Sequence, residues 1–217
     1  MTKIPQNIEE QYITPLGTIK CGFNLYNPQH FESEHFKYEN GFSTKLKNDS
    51  IILEKIFFKL KQPLENGGKM EDGFGWIFRI EKISDIIETK NIETYCLIDN
   101  YENVEFDSSC GENLDAIEVR NVDWILNIGT EDGEIMNFQA EKEDWFPKRL
   151  KEKVSFYKSI TEMKENGFRT KIPNLESGEK IHIQYLIAYN KKENNNVNSW
   201  IAVEESKRNL ENWIGIW

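Results

Sequence analysis

DWILNIGTEDGEIMNFQAEKEDWFPKRLKEKVSFYKSITEMKENGFRTKIPNLESGEKIHIQYLIAY, residues Asp123 to Tyr189, reads as one complete folding unit. In Asp123 to Ile128, Trp124, Leu126 and Ile128 fall on one side and Asp123 and Asn127 on the other, the period-2 pattern of a strand with one dry face. Gly129-Thr130-Glu131-Asp132-Gly133 supplies a turn, and Met136, Phe138 and Ala140 continue the alternation, which predicts a hairpin. Asp144 then offers an N-cap and Pro147 suits a first helical turn. Phe146, Leu150, Val154, Tyr157 and Ile160 recur at helical spacing up to Asn166-Gly167, which predicts a long amphipathic helix over about 145–166. After Ile172-Pro173 and the Ser177-Gly178 turn, Ile181, Ile183, Tyr185, Ile187 and Tyr189 share one face of a strand over 180–189. Its other face begins wet, with His182 and Gln184, and ends with Leu186 and Ala188. Half of that face therefore expects a cover, which marks a central strand.

Outward from this unit, Ile19, Cys21, Phe23 and Leu25 predict a strand over 18–26. Residues 27–42 carry aromatic residues among charges without a sustained period and read as loop with short structure. Ser50 to Lys61 fits both a helical face and a strand alternation, and the following Gln62-Pro63, Asn66-Gly67-Gly68 and Gly73-Phe74-Gly75 favour the strand, paired with 76–82 as a hairpin. Short strands are expected at 94–98, 116–122 and 200–204, a single helical turn at 84–89, and a mobile loop tip at 191–196. The fold expected is α+β: a mostly antiparallel sheet built from hairpins, with the long helix packed on one face. One domain spans 1–217, with a peripheral lead-in over 1–15 and a docked tail over 206–217, because Trp213-Ile214-Gly215-Ile216-Trp217 is too apolar for water.

The chain has 217 residues, of which 38% are apolar, 12% aromatic and 29% charged, with a mean hydropathy of -0.65, the composition of a folded, soluble protein. Its start lacks a charged segment followed by an apolar one, and no stretch is apolar enough to span a membrane, so a cytoplasmic location is expected. Cys21, Cys96 and Cys110 are an odd number without close spacing, which suits buried thiols in a reducing compartment.

No motif for catalysis or a cofactor stands out. His30 and His35, with Glu32 and Glu34 between them, lack the spacing of metal ligands, and no metal or cofactor is expected. Cys110 lies in a polar loop beside Gly111, and with His182 it forms the nucleophile pair of an alternative reading, a small hydrolase or transferase. Gly73-Phe74-Gly75 lacks the strand-to-helix context of a phosphate loop and reads as a hairpin connection.

Charge distribution does rise above background. From Asp99 to Asp144 fourteen carboxylates face only Arg120 and Lys142, a net charge of -12 where the whole chain carries -10. Such a field attracts basic partners and repels nucleic acid. The residues expected to engage a basic protein partner are Asp99, Glu102, Glu105, Asp107, Glu112, Asp115 and Glu118, with Tyr101, Phe106 and Trp145 as aromatic anchors. The bland alternative is an acidic surface kept for solubility. In size and composition the chain is similar in kind to the immunity proteins that bacteria make against their own nuclease toxins. That likeness implies an inhibitor whose carboxylates occlude the groove where a toxin's Lys and Arg hold phosphate. A further reading is a structural or adaptor domain that uses its sheet face and apolar tail as contacts.

Overall fold

A computed structural model describes residues 7–26, 30–62, 64, 68–85, 88–110, 114–143, 146–155, 158–192, 197–204 and 207–215. The described residues are mostly β, with 55% in strands and 15% in helices. Among the described residues the strands form two antiparallel sheets. The smaller runs, in spatial order, β1 (Asn7–Thr14), β2 (Gly17–Leu25), β7 (Ile92–Asp99), β12 (Gly167–Lys171) and β11 (Thr161–Lys164). The larger runs β3 (Glu32–Lys37), β4 (Gly41–Lys47), β5 (Ile51–Lys59), β6 (Asp72–Lys82), β13 (Lys180–Lys191), β10 (Trp124–Glu131), β9 (Leu114–Arg120) and β8 (Glu105–Cys110). Three short helices, α1 (Gly133–Lys142), α2 (Val197–Val203) and α3 (Lys207–Ile214), complete the described elements together with two single 3₁₀ turns.

The two sheets pack face to face over an inner core because alternate residues of both are apolar. Ile19, Cys21 and Phe23 of β2 and Cys96 and Ile98 of β7 meet Phe74, Trp76, Phe78 and Ile80 of β6 and Ile181, Ile183, Tyr185 and Ile187 of β13. Each such burial contributes roughly 1.5–3 kcal/mol relative to exposure. One fastening between the sheets is polar. Glu10 of β1 accepts a hydrogen bond from Trp76 Nε1 at 2.8 Å and pairs with the buried ammonium of Lys55 at 3.0 Å. The outer face of the large sheet carries a second core, in which Ile56, Phe58, Ile77, Leu186 and Ala188 pack against Ala202 and Val203 of α2 and Leu210 and Ile214 of α3.

β13 is central, between β6 and β10, and α2 covers Leu186 and Ala188 as its half-dry face demands. Residues 51–59 are strand throughout and pair with β6 across the glycine-rich connection. Gly75 stands where any Cβ would come 2.7 Å from Leu186 Cδ2 and 2.8 Å from the Tyr185 carbonyl, so this fragment belongs to a tightly covered strand.

The expected α+β architecture with a long helix over 145–166 is overturned. Within that span lie a 3₁₀ turn at Lys148–Leu150, an isolated bridge between Ser155 and Lys158, and the start of the β11–β12 hairpin. Phe146, Leu150 and Val154 are all buried, so the apolar spacing was a true burial signal satisfied by irregular backbone instead of a helix. Glu165-Asn166 turns this hairpin and Gly167, at φ +149°, opens β12, so Asn166-Gly167 does not cap a helix. The hairpin expected after β10 is also absent, because Asp132 caps α1 by accepting from Ile135 N at 2.8 Å. Met136 and Ala140, four residues apart, face the core from that helix while Phe138 is exposed. Residues 197–203 are helix α2, not the expected last strand. The segment read as a lead-in carries edge strand β1, and residues 32–37, read as loop, form β3. The tail docks through Leu210 and Ile214. Tyr157 and the loop tip at 193–196 lie outside the described residues.

Candidate functional site

Cross-strand register decides which charged residues meet. On the outer face of the large sheet, Lys45, Glu54, Arg79 and His182 stand directly opposite one another across β4, β5, β6 and β13. Lys45 opposite Glu54 and Glu54 opposite Arg79 are attractive pairs, which favours this register of β4, β5 and β6. α3 adds Glu211 from above. Arg79 Nη2 donates to Glu211 Oε1 at 2.8 Å and Nη1 reaches Glu54 Oε2 at 3.5 Å, while His182 Nδ1 lies 3.6 Å from Glu211. Burial alone would raise the Glu211 carboxyl, but the hydrogen bonds and charges of His182 and Arg79 prevail and hold it down at about 2. Beside this knot lies a groove of ≈ 270 Å³ whose rim includes Lys45, Glu81, Lys180 and His182. Its lining adds Ile52, Glu54, Arg79 and Ile80, so charged side chains dominate it. The knot's evident work is mechanical: it latches α3 onto the sheet.

Register also separates Cys110 from His182. Cys110 pairs with Asp115, and through Thr130 its row reaches Tyr185. Three strand spacings, about 14 Å, therefore lie between Cys110 and β13, and His182 is three residues further along. That distance is several times the reach of a nucleophile and its base.

The acidic stretch is divided by the fold. Glu105, Asp107 and Glu118 share the outer face of β8 and β9, since Glu105 opposes Arg120 and Asp107 opposes Glu118. Glu102 is exposed in the loop that leads into β8, and Tyr101, in the same loop, packs edge-on against Phe106 with ring centroids 4.9 Å apart. Arg120 bridges Glu105 at 3.1 Å and Glu118 at 3.3 Å, which leaves Glu102 and Asp107 in water beside a like-charged pair. β8 is also the edge of its sheet, with no strand beyond it among the described residues.

Other expected contact residues lie elsewhere. Asp99 ends β7 in the smaller sheet, where Lys20 donates to it at 2.6 Å and holds its carboxyl below the usual range. Asp115 points to the inner side of β9, raised by burial and by the nearby charge of Asp132. Phe106 is half-buried against the inner core, so it supports Tyr101 instead of standing free. Glu131 is buried and accepts from Gln139 at 2.7 Å. Glu112 and Trp145 lie outside the described residues, as does the side chain of Cys110.

Among the described residues no group of three or more His, Cys, Asp or Glu is placed to hold a metal ion, and His35 Nδ1 instead contacts Thr44 Oγ1 at 3.1 Å. Among these residues, too, no helix is long and apolar enough to cross a membrane. Sequence reasoning passed over the Arg79–Glu211 pair, whose partners are 132 residues apart. Its one sequence signal was an arginine among Phe74, Trp76, Ile77, Phe78 and Ile80 of β6. No protein-family model, curated protein or solved structure matches the chain.

Proposed function

We propose that the chain is a non-enzymatic, cytoplasmic binding protein that engages a basic protein partner along the β8–β9 edge. In its most concrete form it is an immunity-type inhibitor that occludes the cationic groove of a nuclease toxin. The observation that carries this reading is the gathering of Glu105, Asp107 and Glu118 on the outer face of one edge strand pair, with Arg120 bridging Glu105 and Glu118 and with Glu102 and Tyr101 in the loop that leads into β8. Four carboxylates against one guanidinium leave a net negative field that speeds association with a basic surface. The ring of Tyr101, which packs on Phe106 toward the inner side of the same edge strand, supplies the anchor that charge alone does not.

The test uses affinity capture from the native host followed by direct binding of the identified partner to two variants. E102Q/E105Q/D107N removes the edge charges, and K45Q/K180Q removes charge from the rim of the Arg79 groove. Loss of binding in the first alone supports the reading, and a nuclease whose activity is restored by that variant supports its concrete form. Loss in the second alone, or in neither, overturns it.

A further inference from the structure

Cys21 of β2 and Cys96 of β7 stand directly opposite each other in the middle of the smaller sheet, although 75 positions separate them in sequence. Residues opposed in an antiparallel pair have Cα atoms either ~4.5 or ~5.5 Å apart, and both values fall inside the ~4.4–6.8 Å range that a disulfide requires. Both side chains point into the inner core and neither is exposed to solvent. Cys96 is also among the groups that raise the Cys21 thiol, as expected of neighbours across one strand pair.

We propose that Cys21 and Cys96 are a disulfide-forming pair: in an oxidising medium they close a covalent cross-strand link between β2 and β7, and in a reducing one they remain the thiols of this structure. With glutathione disulfide as oxidant, one cysteine thiolate attacks a glutathione sulfur and expels a glutathione thiolate, leaving a mixed disulfide. The second cysteine thiolate then attacks the protein sulfur of that mixed disulfide and expels the other glutathione. Two cysteine thiols are oxidised, one glutathione disulfide is reduced to two glutathione molecules, and the two cysteine protons pass to them.

The environment fixes when this occurs. Burial pushes the Cys21 thiol well above its ordinary range, only partly opposed by the ammonium of Lys55, so the native dithiol is a poor nucleophile and is closed to reagents. Exchange therefore belongs to the folding chain, before the large sheet covers the pair. The link joins the chain on either side of its excursion through β3, β4, β5 and β6, and so restricts the unfolded state across a long loop.

The experiment refolds C110S, which keeps only the two cysteines in question, in a buffer of reduced and oxidised glutathione. The product is unfolded in iodoacetamide, and its mass and cross-linked peptides are read. The expected product lacks two hydrogens, takes up no alkylating agent, joins the peptides of Cys21 and Cys96, and unfolds at a higher denaturant concentration than the same protein kept in dithiothreitol. C110A serves in the same way where the serine variant does not refold. Refolded protein with native circular dichroism that carries both cysteines as alkylatable thiols, or as separate glutathione adducts, overturns the proposal. So does a cross-linked form that unfolds at lower denaturant than the reduced one.

Discussion

Two charged regions occupy the outer face of the same eight-stranded sheet, and they treat charge in opposite ways. Around Arg79 the carboxylates of Glu54 and Glu211 are matched by a guanidinium and an imidazole and largely withdrawn from water. Along β8 and β9 the acids outnumber Arg120, and Glu105 keeps 76% of its side-chain surface exposed. A buried, matched charge is lost at a penalty to the fold, because its partner is stranded. An exposed, unmatched charge contributes little to stability and acts at long range. The first region belongs to folding and the second is available to a partner.

The largest expected effect sets the scale for this contrast. Ile183, next to His182 on β13 but on the inner face, should lose about 4 kcal/mol on truncation to Ala, and Leu150→Ala should fall in the same ~2–5 kcal/mol range, both read from denaturant midpoints. Unchanged midpoints for both would place the inner core elsewhere.

Next comes the latch. The Glu211 carboxyl is held at about 2 in the folded chain against an ordinary value of 4.5. A group depressed on folding contributes stability that is complete above its unfolded value and disappears as pH falls toward its folded one. Glu211→Gln should therefore destabilise by roughly 3 kcal/mol at neutral pH, with the gap from wild type closing between pH 4.5 and 2. A gap independent of pH would mean that packing of α3, and not its charge, makes the latch.

A smaller loss, about 1 kcal/mol, is expected for Ser199→Ala, which removes the buried hydrogen bond that Asn127 Nδ2 donates from β10 to α2 at 2.9 Å. It asks whether a neutral contact can hold a helix cover as the ion pairs do. Urea unfolding followed by tryptophan fluorescence gives the value, and no change would show that α2 is held by its apolar side alone.

How far the sequence could be read follows from the same distinction between local and distant causes. The inner alternation of β13, its half-covered outer face and the burial of Leu150 and Val154 were legible because period and apolarity are local. The state of the backbone under that burial was not. Phe146, Leu150 and Val154 have the spacing of a helix face, yet the chain buries them from turns and enters a hairpin, since tertiary packing and not propensity decides short segments. Met136 and Ala140 fitted a strand as well as a helix, and the deciding residue was the Asp132 cap. The acidic stretch was visible as composition, but only pairing between strands reveals that Asp107 joins Glu118 on one face while Asp115 turns to the other. The Arg79–Glu211 latch and the Cys21–Cys96 pair join distant segments, and no local pattern names either partner.

The most direct test of the central claim, that the β8–β9 acids serve association and the Arg79 knot serves folding, measures both quantities on one variant. E102Q/E105Q/D107N should keep its unfolding midpoint within about 0.5 kcal/mol of wild type. Its association with the captured partner should slow about tenfold at low salt and lose most of its salt dependence, with dissociation little changed. A variant that associates as fast as wild type with the same salt slope would contradict the account and reduce this edge to a solubilising surface.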